Sequence, residues 1–429
     1  MSVNTGRRRV MVTALAAATA LSAIAACGND DEAPAGGKPA KLVIDTFGEF
    51  GYDELIKQYE RDAGITIELR KTAQLNQYRP KIVRALATGK GAADVIALEE
   101  GILNEFKINP ANWVDLTPLV ADHSKEYLAW KYDLGKAPDG RLMGLPTDVG
   151  SLAVCYRRDL FQAAGLPVDR EQVTALWPDW DAFIATGVKY RDATGKALLD
   201  SVTTAASAIM FQKGGDLFYD KENNIVADSS AAVKAAWDTA IAMVDAKISA
   251  KTETWSAGWS AGFKQGIFAA TFCPSWMLGI VQDNSGPENS GKWDVAGVPG
   301  GAGNWGGSWL AVPTQSKYPR EAAKLVEFLT NAGSQVAAFK LKGPLPTNLE
   351  ALQDPDFQSY TNEYFNNAPT GRIFGESVTA IQPIHLGPKH QAVKEQALEP
   401  ALQAYEAGKV SEAAAWQQFL KDAVIQGTF

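Results

Sequence analysis

Between Lys41 and Leu98 the chain alternates three short apolar runs with two helix-patterned segments, and this alternation constrains the fold more than any other feature. Lys41 to Phe47 is an apolar run stopped by Gly48, and it reads as a buried strand. Tyr52 to Ala63 then carries Leu55, Ile56 and Tyr59 at helical spacing, with Gly64 as the stop. Ile65 to Leu69 alternates apolar and polar residues as a second strand, and Tyr78 to Thr88 repeats the helical pattern until Gly89 and Gly91 break it. Asp94 to Leu98 is the third strand. Strands joined through helices by short connections pair in parallel, so the expected class is α/β. Ligands on such sheets collect beyond the carboxyl ends of the strands. That places Phe47, Glu49 and Phe50 after the first strand, and Glu99 and Glu100 after the third, at a candidate crevice.

Further along, Leu152 to Tyr156, Ala269 to Cys273, Trp293 to Val298 and Trp309 to Val312 read as strands, and Val173 to Asp192 and Ala231 to Ala246 as helices. From Pro319 onwards the pattern is mostly helical, and no fixed-period repeat appears, which argues against a solenoid or propeller. A length of 429 residues allows two or three domains. The net charge of −8, with no basic run in the body, argues against nucleic acid as a partner.

The start of the chain has its own logic. Arg7, Arg8 and Arg9 precede an apolar run from Val10 to Ala26, which is short for a membrane span and suits an export signal. It ends in Ile24-Ala25-Ala26-Cys27, which resembles the lipobox of bacterial lipoproteins and implies a lipid on Cys27 with cleavage before it. Residues 1–26 are then the signal peptide and 27–40 a Pro/Gly-rich tether. Cys155 and Cys273 remain, either as a disulfide in an oxidising compartment or as two buried thiols.

Six tryptophans (Trp255, Trp259, Trp276, Trp293, Trp305 and Trp309) fall within 55 residues. Tryptophan is ordinarily core, but Trp276 follows a Pro-Ser turn, and Trp305 and Trp309 flank Gly306-Gly307-Ser308. An indole beside glycine can present its face, and sugars offer matching flat C–H surfaces with hydroxyls left over for carboxylates.

With these residues in hand, the chain resembles the extracellular solute-binding proteins of ABC importers, in the branch that delivers oligosaccharides. The resemblance rests on Leu145-Pro146-Thr147-Asp148 leading to Tyr156-Arg157-Arg158-Asp159-Leu160-Phe161, and on Phe263 to Ala270 with Trp276 a few residues on. Gly306 to Pro313, Glu321 to Leu329 and Gly343 to Thr347 complete it, and within the branch the match is greatest to cello-oligosaccharide-binding lipoproteins of Gram-positive bacteria.

The resemblance implies an α/β, two-lobed periplasmic-binding-protein-like fold with crossing hinge strands and a ligand cleft between the lobes. Lobe 1 is expected at 41–147 and 313–370, and lobe 2 at 148–312 and 371–429. Trp276 is expected to stack on a sugar ring, with Ser308 and Trp309 on the second lobe's wall. Asp94 and Asp148 are the expected polar contacts, unless they are a cap and a turn residue. Glu49, Glu99, Phe47, Trp305 and Trp259 complete the expected ligand set. The implied partners are an oligosaccharide, the membrane permease of an ABC transporter, and the outer face of the membrane through the lipid on Cys27; no cofactor and no metal is expected, and the protein is expected to act as a monomer.

Two rivals follow from the same residues. A glycoside hydrolase would need a carboxylate pair such as Glu99-Glu100 with Asp356, but neighbours on a strand point to opposite faces. His123, His385 and His390 show no metal or triad spacing, and no G-x-S-x-G or P-loop motif occurs. A carrier of charged solute would call for fixed counter-charges, whereas the Trp-rich segment holds few basic residues.

Overall fold

The computed structural model describes residues 39–428, so the expected signal peptide, Cys27 and nearly all of the expected tether lie outside the described residues. The predicted alternation opens the fold: β1 (Lys41–Phe47), α1 (Asp53–Ala63), β2 (Thr66–Thr72), α2 (Leu75–Thr88), β3 (Val95–Glu99) and α3 (Glu100–Lys107). Gly64 ends α1 in the left-handed conformation, as expected of a residue without a Cβ. After α4 (Ala129–Leu134) come β4 (Gly144–Pro146), β5 (Leu152–Arg157), β6 (Ala197–Leu199), the short β7 (Gly215–Asp216), β8 (Phe268–Pro274), β9 (Trp293–Ala296), β10 (Ser308–Ala311) and the short β11 (Ile384–His385).

The strands sort into two principal sheets, one per lobe. The first has the order β2-β1-β3-β10-β4, with β1 parallel to β2 and β3, and β10 antiparallel to β3 and β4. The second has the order β6-β8-β5-β9, with β6 parallel to β8, and β5 antiparallel to β8 and β9. All residues of β5 and β8 are buried, which is why both read as continuous apolar runs and not as alternating ones. Cys155 on β5 and Cys273 on β8 are joined by a disulfide with their Cα atoms 5.4 Å apart.

The chain passes between the sheets at 147–151, 297–307 and 343–348, and the three passages are laced together. Ser151 bridges Asn304 and Val149 bridges Leu345. Gly150 N donates to Asn304 Oδ1 at 2.8 Å, and Trp305 N donates to Gly150 O at 2.8 Å. These are the crossing strands of the expected fold.

Two boundaries differ from the expectation. Residues 349–370 are expected in lobe 1, yet Ala351, Leu352, Phe357, Phe365 and Ala368 pack with Ala153, Cys155 and Cys273 of the second sheet and with Phe263 beside it. Conversely, β10 falls within the range expected for lobe 2 but hydrogen-bonds into the first sheet between β3 and β4. Both errors have one cause: a crossing segment has no composition of its own, so only long-range pairing shows where it lands.

Candidate ligand-binding site

The carboxyl end of β3 meets a crossing segment, Glu100 N donating to Gly307 O at 2.9 Å, and the candidate side chains gather there. Glu99 ends β3 and caps α3, its Oε2 accepting from Gly101 N at 2.6 Å. On the other side, Trp276 follows β8, and its Nε1 donates to Trp305 O at 2.8 Å with the two indoles edge to face at 6.1 Å. Gly306, at φ +84°, separates the two groups. A Cβ there would stand 3.4 Å from Glu99 Oε1 and 3.5 Å from Trp276 Nε1. At Gly150 a Cβ would come within 1.8 Å of Trp305 O, so any side chain would push the crossing strands apart.

Trp276 is partly exposed, and Trp255 lies nearly parallel to it, with ring centroids 6.2 Å apart at 24°. Trp255 itself is 36% exposed, which makes the pair an apolar face open to solvent. Trp305 is buried beneath, against Phe211, with Lys394 Nζ 5.3 Å from its ring centroid.

Under this surface runs a buried polar network. Lys131 Nζ on α4 meets Glu100 Oε2 at 2.5 Å and donates to Gly306 O at 3.1 Å, while Asn304 Nδ2 donates to Glu100 Oε2 at 3.0 Å. A paired and hydrogen-bonded ion pair of this kind resists disruption, because removing either partner strands a charge out of water. It ties α3 and α4 of the first lobe to the segment carrying Trp305 and Gly306. Burial, followed by the neighbouring Glu100 charge, pushes the Glu99 carboxyl up to about 7. Burial also raises Asp148, whose Oδ1 accepts from Thr147 Oγ1 at 2.6 Å.

The expected site residues divide. Trp276 and Glu99 come together, with Asp148 on the crossing strand just below; Trp305 adjoins them through its carbonyl, but its indole is buried on Phe211 and presents no face to a ligand. Glu49 lies at the end of β1 but is held on the surface by Lys71 at 2.7 Å, and Phe47 packs on Phe50 and Tyr78.

Asp94 does not join the cluster. It precedes β3 at the opposite end from Glu99, and its carboxylate accepts from Val43 N on β1 at 2.9 Å and from Ser316 Oγ at 2.7 Å, so it is neither a ligand contact of the cluster nor a helix cap but a tie between β1 and the segment after β10. Trp309 is fully buried in the first lobe's core, donating Nε1 to Lys131 O at 3.0 Å, so it lines no wall of the second lobe. Ser308, beside it on β10, is buried in the first sheet and offers its carbonyl to Thr147 N. Trp259 is also buried, donating to Asp200 Oδ2 at 2.8 Å. Two cavities elsewhere on the surface, of about 410 and 340 Å³, are lined by Lys196 and Gln265 and by Arg158 and Asp294, and touch none of the cluster.

Sequence reasoning missed Lys131, Asn304 and Lys394, whose partners are distant in the chain. Trp255 was visible in the tryptophan cluster, but nothing local distinguished it from its buried neighbours. Among the described residues no group of His, Cys, Asp and Glu could hold a metal ion.

Two sheets joined by laced crossings, with an aromatic pair and a carboxylate where the lobes meet, define a two-lobed binding protein. The chain belongs to the family described as bacterial extracellular solute-binding protein, which it matches over residues 54–365. That family consists of binders, not enzymes, and works outside the cytoplasm. It is 25% identical over 331 residues to a lactose-binding protein of Rhizobium radiobacter, covering 72% of this chain and 74% of that protein. It is 24% identical over 385 residues to an arabinooligosaccharide-binding protein of Bacillus subtilis (strain 168), covering 85% and 86%. Among solved structures it resembles an extracellular solute-binding protein family 1 at TM-score 0.80 and 37% identity, covering 91% of this chain and 100% of that one. The fold is shared with an ABC transporter associated binding protein from B. animalis subsp. lactis Bl-04 in complex with beta-1,6-galactobiose, at TM-score 0.79, 19% identity, and coverage of 91% and 98%.

The raised Glu99 carboxyl has a consequence for stability. Its folded value of about 7 lies above the ordinary 4.5, so the native state holds the extra proton between those values. Stability contributed by the neutral acid is therefore present below about 4.5 and lost as pH rises through 7. Glu99→Gln is expected to stabilise the fold by about 1–3 kcal/mol at pH 8 and by almost nothing at pH 4. Denaturant titrations of both proteins at the two pH values check this; an equal difference at both would show that Glu99 is solvated.

Proposed function

We propose that the protein captures an oligosaccharide between its lobes and delivers it to the permease of an ABC transporter, held at the outer face of the membrane by a lipid on Cys27. A cellobiose- or cellotriose-like sugar is the favoured ligand, and the protein acts as a monomer. The observation that carries the reading is the exposed Trp255–Trp276 face set across Gly306 from Glu99, at the junction of both lobes. An indole face buries the apolar side of a pyranose, and a carboxylate accepts its hydroxyls, a charged hydrogen bond being worth roughly 1.5–3 kcal/mol. The relatives' sugar ligands support the class. The preference for β-glucosides rests on the sequence resemblance alone.

In this reading a ligand touching both lobes favours the closed arrangement by its differential contacts. Sugar hydroxyls donate best to ionised Glu99, so affinity rises as pH passes upward through about 7. Calorimetric titration with mono- and oligosaccharides, beside amino acids and polyamines, tests the function. Saturable binding of one sugar class is expected. Binding of charged solutes alone would overturn the reading, as would steady release of shorter sugars. X-ray scattering with and without the bound sugar checks closure, and superimposable profiles would remove it.

A further inference from the structure

Trp255 occupies a backbone conformation that a bulky side chain rarely adopts, with φ +70°. Such a conformation persists only where its surroundings over-determine it. On one side Thr252 Oγ1 donates to Asp200 O at 2.8 Å, and the hydroxyls of Thr254 and Thr203 meet at 2.9 Å. On the other, Ser256 caps the following helix by accepting from Trp259 N at 3.1 Å. The loop is thus pinned at both ends to the second lobe.

The remaining restraint comes from the first lobe. Gln74, the residue before α2 at the carboxyl end of β2, donates Nε2 to Trp255 O at 3.0 Å. A left-handed residue turns its carbonyl away from the course of its neighbours, and here it turns toward the other lobe. The Trp255 indole meanwhile lies over Trp276 and packs on Trp259 at 4.9 Å.

We propose that Gln74 is a positioning residue that clasps Trp255 across the lobes, so that seating of the Trp255 ring beside Trp276 and closure of the two lobes occur together. This rests on the ligand-binding reading of the Trp255–Trp276 face. The clasp is made in the sugar-free arrangement described here, and it slows ligand release because this hydrogen bond must break before the lobes part.

The test compares the wild-type chain with Gln74→Ala and with Gln74→Glu, which keeps the shape but cannot donate to a carbonyl when ionised. Stopped-flow tryptophan fluorescence measures association and release of whichever sugar the titration identifies. Hydrogen exchange of residues 252–258, measured with no sugar present, reports the clasp independently of any ligand. Both variants are expected to release sugar about fivefold faster, the loss of one net hydrogen bond. The loop is expected to exchange about fivefold faster as well, with the melting temperature unmoved. Unaltered exchange in both variants would overturn the clasp, and so would unaltered release of a sugar that the wild type binds. If no sugar binds the wild type, the functional reading fails and the exchange measurement alone decides the clasp.

Discussion

Replacing Trp276 by Ala is expected to weaken oligosaccharide binding about a hundredfold or more, with the cooperative unfolding transition retained. Truncating a central aromatic anchor typically costs about 2–4 kcal/mol of binding, and this indole also holds the groove together through its bond to Trp305 O. Trp276 is partly exposed and follows β8, packing on the edge of the second lobe's core without being enclosed by it, so its loss is expected to cost some stability without unfolding the chain. Trp276→Phe, which keeps a ring but loses the Nε1 donor, should fall between the two. Calorimetry gives the affinities, and a urea titration shows whether the fold is intact. Affinity unchanged in Trp276→Ala would make the tryptophan a packing residue and remove the site.

The second large effect concerns stability. Cys155 and Cys273 close a loop with a sequence separation of 118, and both are fully buried on adjacent strands of the second sheet. Chain-entropy arguments give roughly 4–5 kcal/mol for a loop of that length, with the measured range running from about 2 to 5. The double substitution Cys155→Ala/Cys273→Ala is therefore expected to lower the unfolding free energy by about 3–5 kcal/mol, read as a lower urea midpoint. Sugar affinity, measured well below that midpoint, should hardly change, because the bond lies inside one lobe and not across the cleft. A variant as stable as the wild type would mean that the unfolded chain is already compact enough for the cross-link to restrain little.

Much of this architecture is legible locally. The α/β class follows from apolar runs alternating with helical spacing before Leu98, since strand and helix periods are short-range properties. Glu99 was legible for a related reason: it stands at the carboxyl end of a parallel strand, where main-chain geometry opens a crevice. Trp276 was singled out by the Pro-Ser turn that ends β8 just before it, a local signal that the indole leaves the sheet. Asp94 failed by the same logic, because it stands at the other end of that strand, where a carboxylate ties chain ends together.

Trp309 shows the limit most plainly. Its glycine-flanked setting is indistinguishable in sequence from that of Trp305, yet β10 inserts between β3 and β4 and carries the indole into the first lobe's core. Sequence alone determined the class of fold, and it pointed to a strand end and to aromatic residues for the candidate site, because each of these depends on residues close together in the chain. Which tryptophans face the groove, where the crossing segments land, and that Lys131 and Asn304 support it from below were decided only by tertiary structure. Those outcomes depend on pairings between residues more than a hundred positions apart, and no local pattern encodes such a partner.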